Sequence, residues 1–281
     1  MSGNNMMTRR AITVQRQGGF KERAAQTRGL LQTISGIVKD AVKVGPDMLR
    51  LVRATWDIQA RVDHIQNIGR EERDQLKGAL ILQAVAAAHM KKELLKIAEE
   101  YENLARVTTP EHRQYILDAI GTADPEDIPR IRQFVKYVAS AKKDHASTIM
   151  EKARNHGIKS VLPIAKAYYH GSPEEKEAIA HILRHVANEE HVERAKYHVS
   201  QLKNIHEGIK KQLPRLLSSA RDFNEVDRII MAAHHASQSI RAGGREEDIL
   251  KAFKDKETAM KQFSMPAKGW EPYASRAREI R

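Results

Sequence analysis

The chain has 281 residues, 41% of them hydrophobic and 5% aromatic, no cysteine, and a formal charge of +12. The missing cysteines exclude disulfides, thiolate metal sites and cysteine nucleophiles. The basic balance favours an anionic partner, whether nucleic acid, anionic lipid or an acidic protein. With so few aromatics, the core must be built from Leu, Ile, Val and Ala, which suits helix-on-helix packing better than a sheet sandwich.

The first twenty residues, MSGNNMMTRRAITVQRQGGF, contain no apolar run long enough for a secretory signal, so an intracellular location is expected. Arg9, Arg10, Arg16 and Lys21 precede any acid, a feature shared with mitochondrial transit peptides, although serine and leucine are sparse here. Residues 1–19 read as a basic flexible arm. Next, Leu30, Leu31, Ile34, Ile37, Val38, Ala41 and Val42 form an apolar stripe that predicts an amphipathic helix ending at Gly45-Pro46, where proline cannot continue the ladder. With Arg28, Lys39 and Lys43 beside it, that stripe also suits an anionic lipid surface.

Met48, Leu51, Thr55, Ile58, Val62 and Ile65 recur at spacings of three and four, predicting a second helix with a seam for a neighbour. A longer helix is predicted from about Glu71 to Arg106, with Leu80, Ala84, Ala87, Lys91, Leu94, Ala98, Tyr101 and Ala105 on one line. Its apolar run from Ala79 to Ala88, broken by Gln83, is too short to span a bilayer, and no transmembrane segment is expected.

Thr109-Pro110-Glu111, Asp124-Pro125-Glu126 and Ser172-Pro173-Glu174 each combine a capping oxygen, a proline in the first turn and an acid at the positive end of the helix dipole. They mark helix starts without a fixed repeat period. Ile131, Phe134, Val138, Ala141, His145 and Ile149 make a further seam, read as one helix over about 130–155. Between Glu174 and Leu213 the apolar face shifts from Ile179, Ile182 and Val186 to Val192, Ala195, Val199, Leu202, Ile209 and Leu213, which predicts a break near Asn188 to Glu190. Phe223, Val226, Ile230, Ala233, Ser237 and Ile240 form the last seam. Residues 264–281 lose periodicity and read as an extended arm. The expected fold is therefore all-α: an elongated bundle of about eight helices with arms at both ends, organised as 1–19, 20–121, 122–263 and 264–281.

Charge is blocked along the chain. Lys and Arg outnumber Asp and Glu by 9 to 2 over residues 130–170 and by 7 to 1 over 194–221, whereas residues 71–129 carry 7 against 12. Arg132, Lys136, Lys143 and Arg154 fall on one side of the predicted 130–155 helix, and such a row would track a phosphate backbone and release its counterions. The alternative is a solvated face, or one paired with an acidic block of the same chain. With Arg9, Arg10 and Arg16 in the basic arm, these are the expected nucleic-acid contacts. No aromatic residues interleave with the row, so contact with the backbone and little sequence preference are expected. Lys196, Lys203 and Lys210 recur every seven residues beside the Val192 to Leu213 seam and read as flanking lysines that cover its apolar edge.

Eight histidines concentrate between His145 and His206. His181, His185 and Glu189 follow at one-turn spacings that would let them share a metal, yet no ligands from a second helix are identifiable, and neither the zinc-protease nor the di-iron helix motif is present. No metal and no cofactor are expected. Gly18-Gly19 and Gly243-Gly244 lack the continuation of a phosphate-binding loop, and no nucleophile elbow occurs, so the expectation is a non-enzymatic protein. Trp270 and Tyr273 in the C-terminal arm are the expected anchors for docking on neighbouring copies. The composite expectation is a self-assembling, sequence-nonspecific nucleic-acid-binding protein. A helical interaction scaffold or effector, and a membrane-active helical protein, are the alternatives.

Overall fold

The computed structural model describes residues 46–263, and every regular element among them is helical. This is the all-α class that composition and periodicity imply, delivered in shorter and more numerous helices than the eight or so expected. The chain divides into two compact units, Met1–Ser147 and Thr148–Arg281.

In the first unit, α1 (Pro46–Asp63) begins at the proline after Gly45, where the missing N–H costs nothing. α2 (Arg70–Ala86) and α3 (Lys91–Val107) follow, then α4 (Pro110–Thr122) and α5 (Ile128–Ala139). α1 packs on α2 and α3, α2 on α4, and α3 along α5. Thr55, Ile58, Val62 and Ile65 are all buried, as their spacing requires.

The long helix predicted from Glu71 to Arg106 is in fact two helices. Ala87 leaves helical geometry at φ −150° and ψ 79°, and a 3-10 turn, Ala88–Met90, starts α3. No glycine or proline marks this reversal. A continuous helix of that length would reach about 50 Å and leave most of its apolar line uncovered, whereas doubling back buries Leu80 and Ala84 together with Leu94, Ala98 and Tyr101 in one unit. Two long-range features brace the turn. The Gln83 side-chain amide donates to the carbonyls of Ile120 (2.7 Å) and Ala123 (3.0 Å) at the end of α4. Lys91, out of character on an apolar line, pairs with Asp57 of α1.

α5 belongs to the first unit because it lies along α3, so the division falls after Ser147, where the sequence suggests 121/122. The single 130–155 helix is likewise replaced by α5 and α6 (Lys143–His156). At the junction the Ser140 hydroxyl donates to the Tyr137 carbonyl (2.8 Å) and the Ala141 N–H to that of Val138 (2.9 Å), tightening the last turn. Ile131, Phe134, Val138, Ala141, His145 and Ile149 remain buried on both sides of the break.

Beyond α6 the second unit contains α7 (Ile158–His170), α8 (Pro173–Arg184), α9 (Glu189–Gln201), α10 (Glu207–Lys210), α11 (Leu213–Ser218), α12 (Phe223–Arg241), α13 (Glu246–Ala252) and α14 (Lys256–Phe263). α7 packs on α8 and α9, α8 on α11, and α12 on α11 and α14. The turn from α6 to α7 is made at Gly157 with φ 83° and ψ 148°, an extended positive-φ conformation taken almost only by glycine and costing other residues about 1–3 kcal/mol. The expected break near Asn188 is present: α8 ends at Arg184, and the Asn188 side chain caps α9 by accepting from the His191 N–H (2.8 Å).

The three proline-marked starts are chemically unequal. Ser172 and Glu175 form a reciprocal capping box, with Glu175 N–H to Ser172 Oγ at 3.2 Å and Ser172 N–H to Glu175 Oε2 at 2.9 Å. Thr109 accepts from the His112 N–H at a longer 3.4 Å. Asp124 makes no side-chain capping bond and opens only a 3-10 turn, Pro125–Asp127.

Candidate nucleic-acid interface

The four cations predicted as one row occupy different settings. Arg132, on α5, is held by Glu93 of α3 at 2.6 Å, both side chains being about a quarter exposed. Its charge is already balanced within the fold. Lys136, one turn on, is half-buried. Lys143, the first residue of α6, is exposed and forms no ion pair with a described residue. The break after Ala139 puts Arg132 and Lys136 on α5 and Lys143 and Arg154 on α6, so a single helical spacing no longer relates all four. Arg9, Arg10, Arg16, Trp270 and Tyr273 lie outside the described residues.

Arg154 has better companions within its own unit. No Asp or Glu occurs between Glu151 and Glu174, a stretch that includes the second half of α6, the Gly157 turn and all of α7. Along α7 the inward positions Val161, Ile164, Ala165 and Tyr168 are buried, and this rotation leaves Lys159 and Lys166 exposed. Arg154, Lys159 and Lys166 form no ion pair with any described residue. Lys159 and Lys166 are two turns apart, about 10 Å along the axis, which spans about three nucleotide steps of a strand. α7 also begins without an acid or a side-chain cap, so the positive end of its dipole adds to the same region.

Of this group only Arg154 falls in the predicted 130–155 row, which stops short of the acid-free run into α7. The absence of carboxylates from 152 to 173 is the signal that identifies Lys159 and Lys166. The seven-residue lysine row resolves differently. Lys196 pairs with Glu193 on its own helix at 2.6 Å. Lys203 sits in a 3-10 turn, and Lys210 is buried between Glu175 of α8 (3.0 Å) and Glu207 (2.8 Å). Lys210 is therefore a buried partner of acids, not an edge-covering lysine.

His181 and His185 lie at the end of α8, whereas Glu189 starts α9 across the Asn188 break, so the one-turn spacing assumed for a shared metal does not extend to Glu189. Among the described residues no group of three or more His, Asp or Glu could hold a metal ion.

A polar cluster absent from the sequence expectations joins α9 to α12. His191, Arg194 and His198 face Phe223 and Asp227: His191 stacks on the Phe223 ring at 4.4 Å, Arg194 lies over that ring at 5.2 Å, and Asp227 receives both Arg194 and His198 Nε2. His198 and Asp227 are 1% and 2% exposed. Burial, the Arg194 guanidinium and His234 lower the His198 imidazole to about 3, so the neutral ring donates its Nε2–H to an Asp227 carboxylate whose charge is balanced by Arg194. Spacings of three and four from His191 and of four from Phe223 were available as a signal, but they lie beside the apolar Val192–Ala195–Val199 line. Only the packing of α9 on α12 shows that both stripes are interior.

No family model matches the chain, and no curated protein or solved structure is detectably similar to it. What the fold defines is an all-α class, with no helix among the described residues long and apolar enough to cross a membrane.

Proposed function

We propose that this is a non-enzymatic, nucleic-acid-binding protein that contacts the phosphate backbone with little sequence preference and assembles with copies of itself. The observation that carries the reading is the acid-free stretch between Glu151 and Glu174, whose fold leaves Arg154, Lys159 and Lys166 exposed and without carboxylate partners among the described residues. Cations at this spacing neutralise phosphates about three steps apart on one strand and release their counterions. Arg132 is a poorer candidate than its sequence position suggests, since Glu93 competes for it. Trp270 and Tyr273 remain the candidate anchors for assembly.

Binding to single- and double-stranded RNA and DNA over a range of salt concentrations tests this directly. Each backbone contact adds about 0.9 to the slope of log affinity against log salt on duplex and about 0.7 on single strands, so the triple variant Arg154→Ala/Lys159→Ala/Lys166→Ala should lower the slope by roughly 2 to 3. A variant removing paired cations, Arg132→Ala/Lys196→Ala, should change it little. No binding at about 50 mM salt, where backbone-directed affinity is high, would overturn the reading. Truncation after Phe263 should abolish assembly with helicity retained, as judged by light scattering and circular dichroism.

A further inference from the structure

α1 leaves a tryptophan in the open. Its inward positions Thr55, Ile58 and Val62 are buried, while Leu49, Arg53, Trp56 and Ala60, spaced four, three and four apart, share one exposed face. Trp56 is 58% and Leu49 48% exposed, and these two are the large hydrophobics left most open among the described residues. An indole in water forgoes more burial than nearly any other side chain, and a flat ligand laid over it regains that burial without rearranging the core.

The charges around the indole select the ligand. Asp57 pairs with Lys91 of α3 and Asp63 with Lys77 of α2 (2.5 Å), so both carboxylates that follow Trp56 on α1 are already balanced. Arg61 is directed toward Glu99 and Glu102 at 3.9 and 4.0 Å. Arg53, one turn before Trp56, is exposed and forms no ion pair with a described residue, which leaves this face complementary to an anion. Residues three apart on a helix have their Cβ atoms about 5–6 Å from each other. A guanidinium and an indole so placed can hold the two ends of one nucleotide, the phosphate on Arg53 and the base on Trp56. Duplex bases are stacked on one another and present only their edges in the grooves, so an indole can take up only an unpaired base. Two large apolar side chains fall far short of the roughly 800 Å² per partner of a stable interface between copies, and they make too narrow a stripe for a helix lying in a lipid surface.

We propose that Trp56 is a base-stacking platform for single-stranded nucleic acid, with Arg53 holding the adjoining phosphate. This role rests on the nucleic-acid reading and adds to it the form of the partner, an unpaired strand, and a contact on the first unit in addition to the cations of α6 and α7. Every base has a face to stack, so the platform is in keeping with weak sequence preference.

The chain has two tryptophans, so full-length Trp270→Phe leaves Trp56 as the sole reporter. Oligothymidylate and oligouridylate strands should quench its emission saturably, whereas DNA and RNA duplexes of equal length should leave it unquenched. In the wild-type background Trp56→Ala should weaken single-strand binding about 5- to 150-fold with little change on duplexes, and Trp56→Phe should retain most of the affinity. Arg53→Ala should lower the single-strand salt slope by about 0.7. Because Trp56 is exposed, circular dichroism should be the same in every variant. Strands that bind while Trp56 stays unquenched, or a Trp56→Ala variant that binds them as the wild type does, overturn this role and leave the nucleic-acid reading standing. Absence of binding to strands and duplexes alike overturns both. Emission that moves to the blue as protein concentration rises, or on phosphatidylglycerol vesicles, with no response to oligonucleotides, also overturns it and assigns the face to a second copy or to lipid.

Discussion

Acidification should weaken the second unit through one buried imidazole. His198 is neutral in the fold because burial, Arg194 and His234 lower its pKa to about 3 from an ordinary 6.5. Unfolding releases the ring to solvent, where it takes up a proton below about pH 6.5. Between that value and about 3 the unfolded chain therefore binds one proton more than the folded chain, and the stability contributed by the neutral ring, fully present above pH 6.5, is lost as pH falls. The slope is about 1.4 kcal/mol per pH unit, so moving from pH 8 to pH 5 removes about 2 kcal/mol. His198→Gln isolates this contribution, since a glutamine amide can still donate to Asp227 but does not titrate. Hydrogen exchange of the buried α12 amides around Ile230 and Ala233, compared between wild type and variant at each pH, reports the difference while cancelling intrinsic exchange rates and the other histidines. The wild type should lose about 2 kcal/mol relative to the variant from pH 8 to pH 5. A constant difference, or wild type gaining on the variant in acid, would mean that the folded ring is charged and that its pairing with Asp227 outweighs burial.

Three further outcomes follow from local geometry. Arg113 is clamped to Glu72 at 2.5 and 2.9 Å and donates to the Thr108 carbonyl at 2.8 Å, while Tyr101 also donates to Glu72. Arg113→Ala strands a largely buried carboxylate and should cost about 3–5 kcal/mol in urea unfolding of the first unit; a cost below about 1 would show that the site rehydrates. Ser172→Ala, which breaks the capping box, should cost about 1 kcal/mol, whereas Asp124→Ala should stay within about 0.5 kcal/mol because Asp124 makes no capping bond. Equal costs would refute this distinction. Gly157→Ala meets open space but keeps φ 83°, so melting should show a loss of about 1–3 kcal/mol from strain alone, and an unchanged or raised melting temperature would contradict that.

The helical class and most of the burial pattern were legible in the sequence, because an amphipathic helix must repeat its apolar residues at three and four whatever it packs against. Ile58 and Val62 on α1, Val226, Ile230 and Ala233 on α12, and the Asn188 break were recoverable in this way, as was the Ser172 cap, whose partners lie within four residues. Tertiary structure alone decided where a continuous apolar line stops being a continuous helix. Ala87 and Ser140 carry no strong local breaker, and the chain turns there because folding back buries both halves of a seam, with Gln83 and Lys91 bonded to residues far away in sequence. Charge behaved in the same way. Arg132, Lys210 and Arg154 are alike in the sequence as cations beside apolar seams, yet Glu93 takes the first, Glu175 and Glu207 take the second, and only the third has no acid partner among the described residues, because pairing depends on which helices meet and not on spacing along one of them.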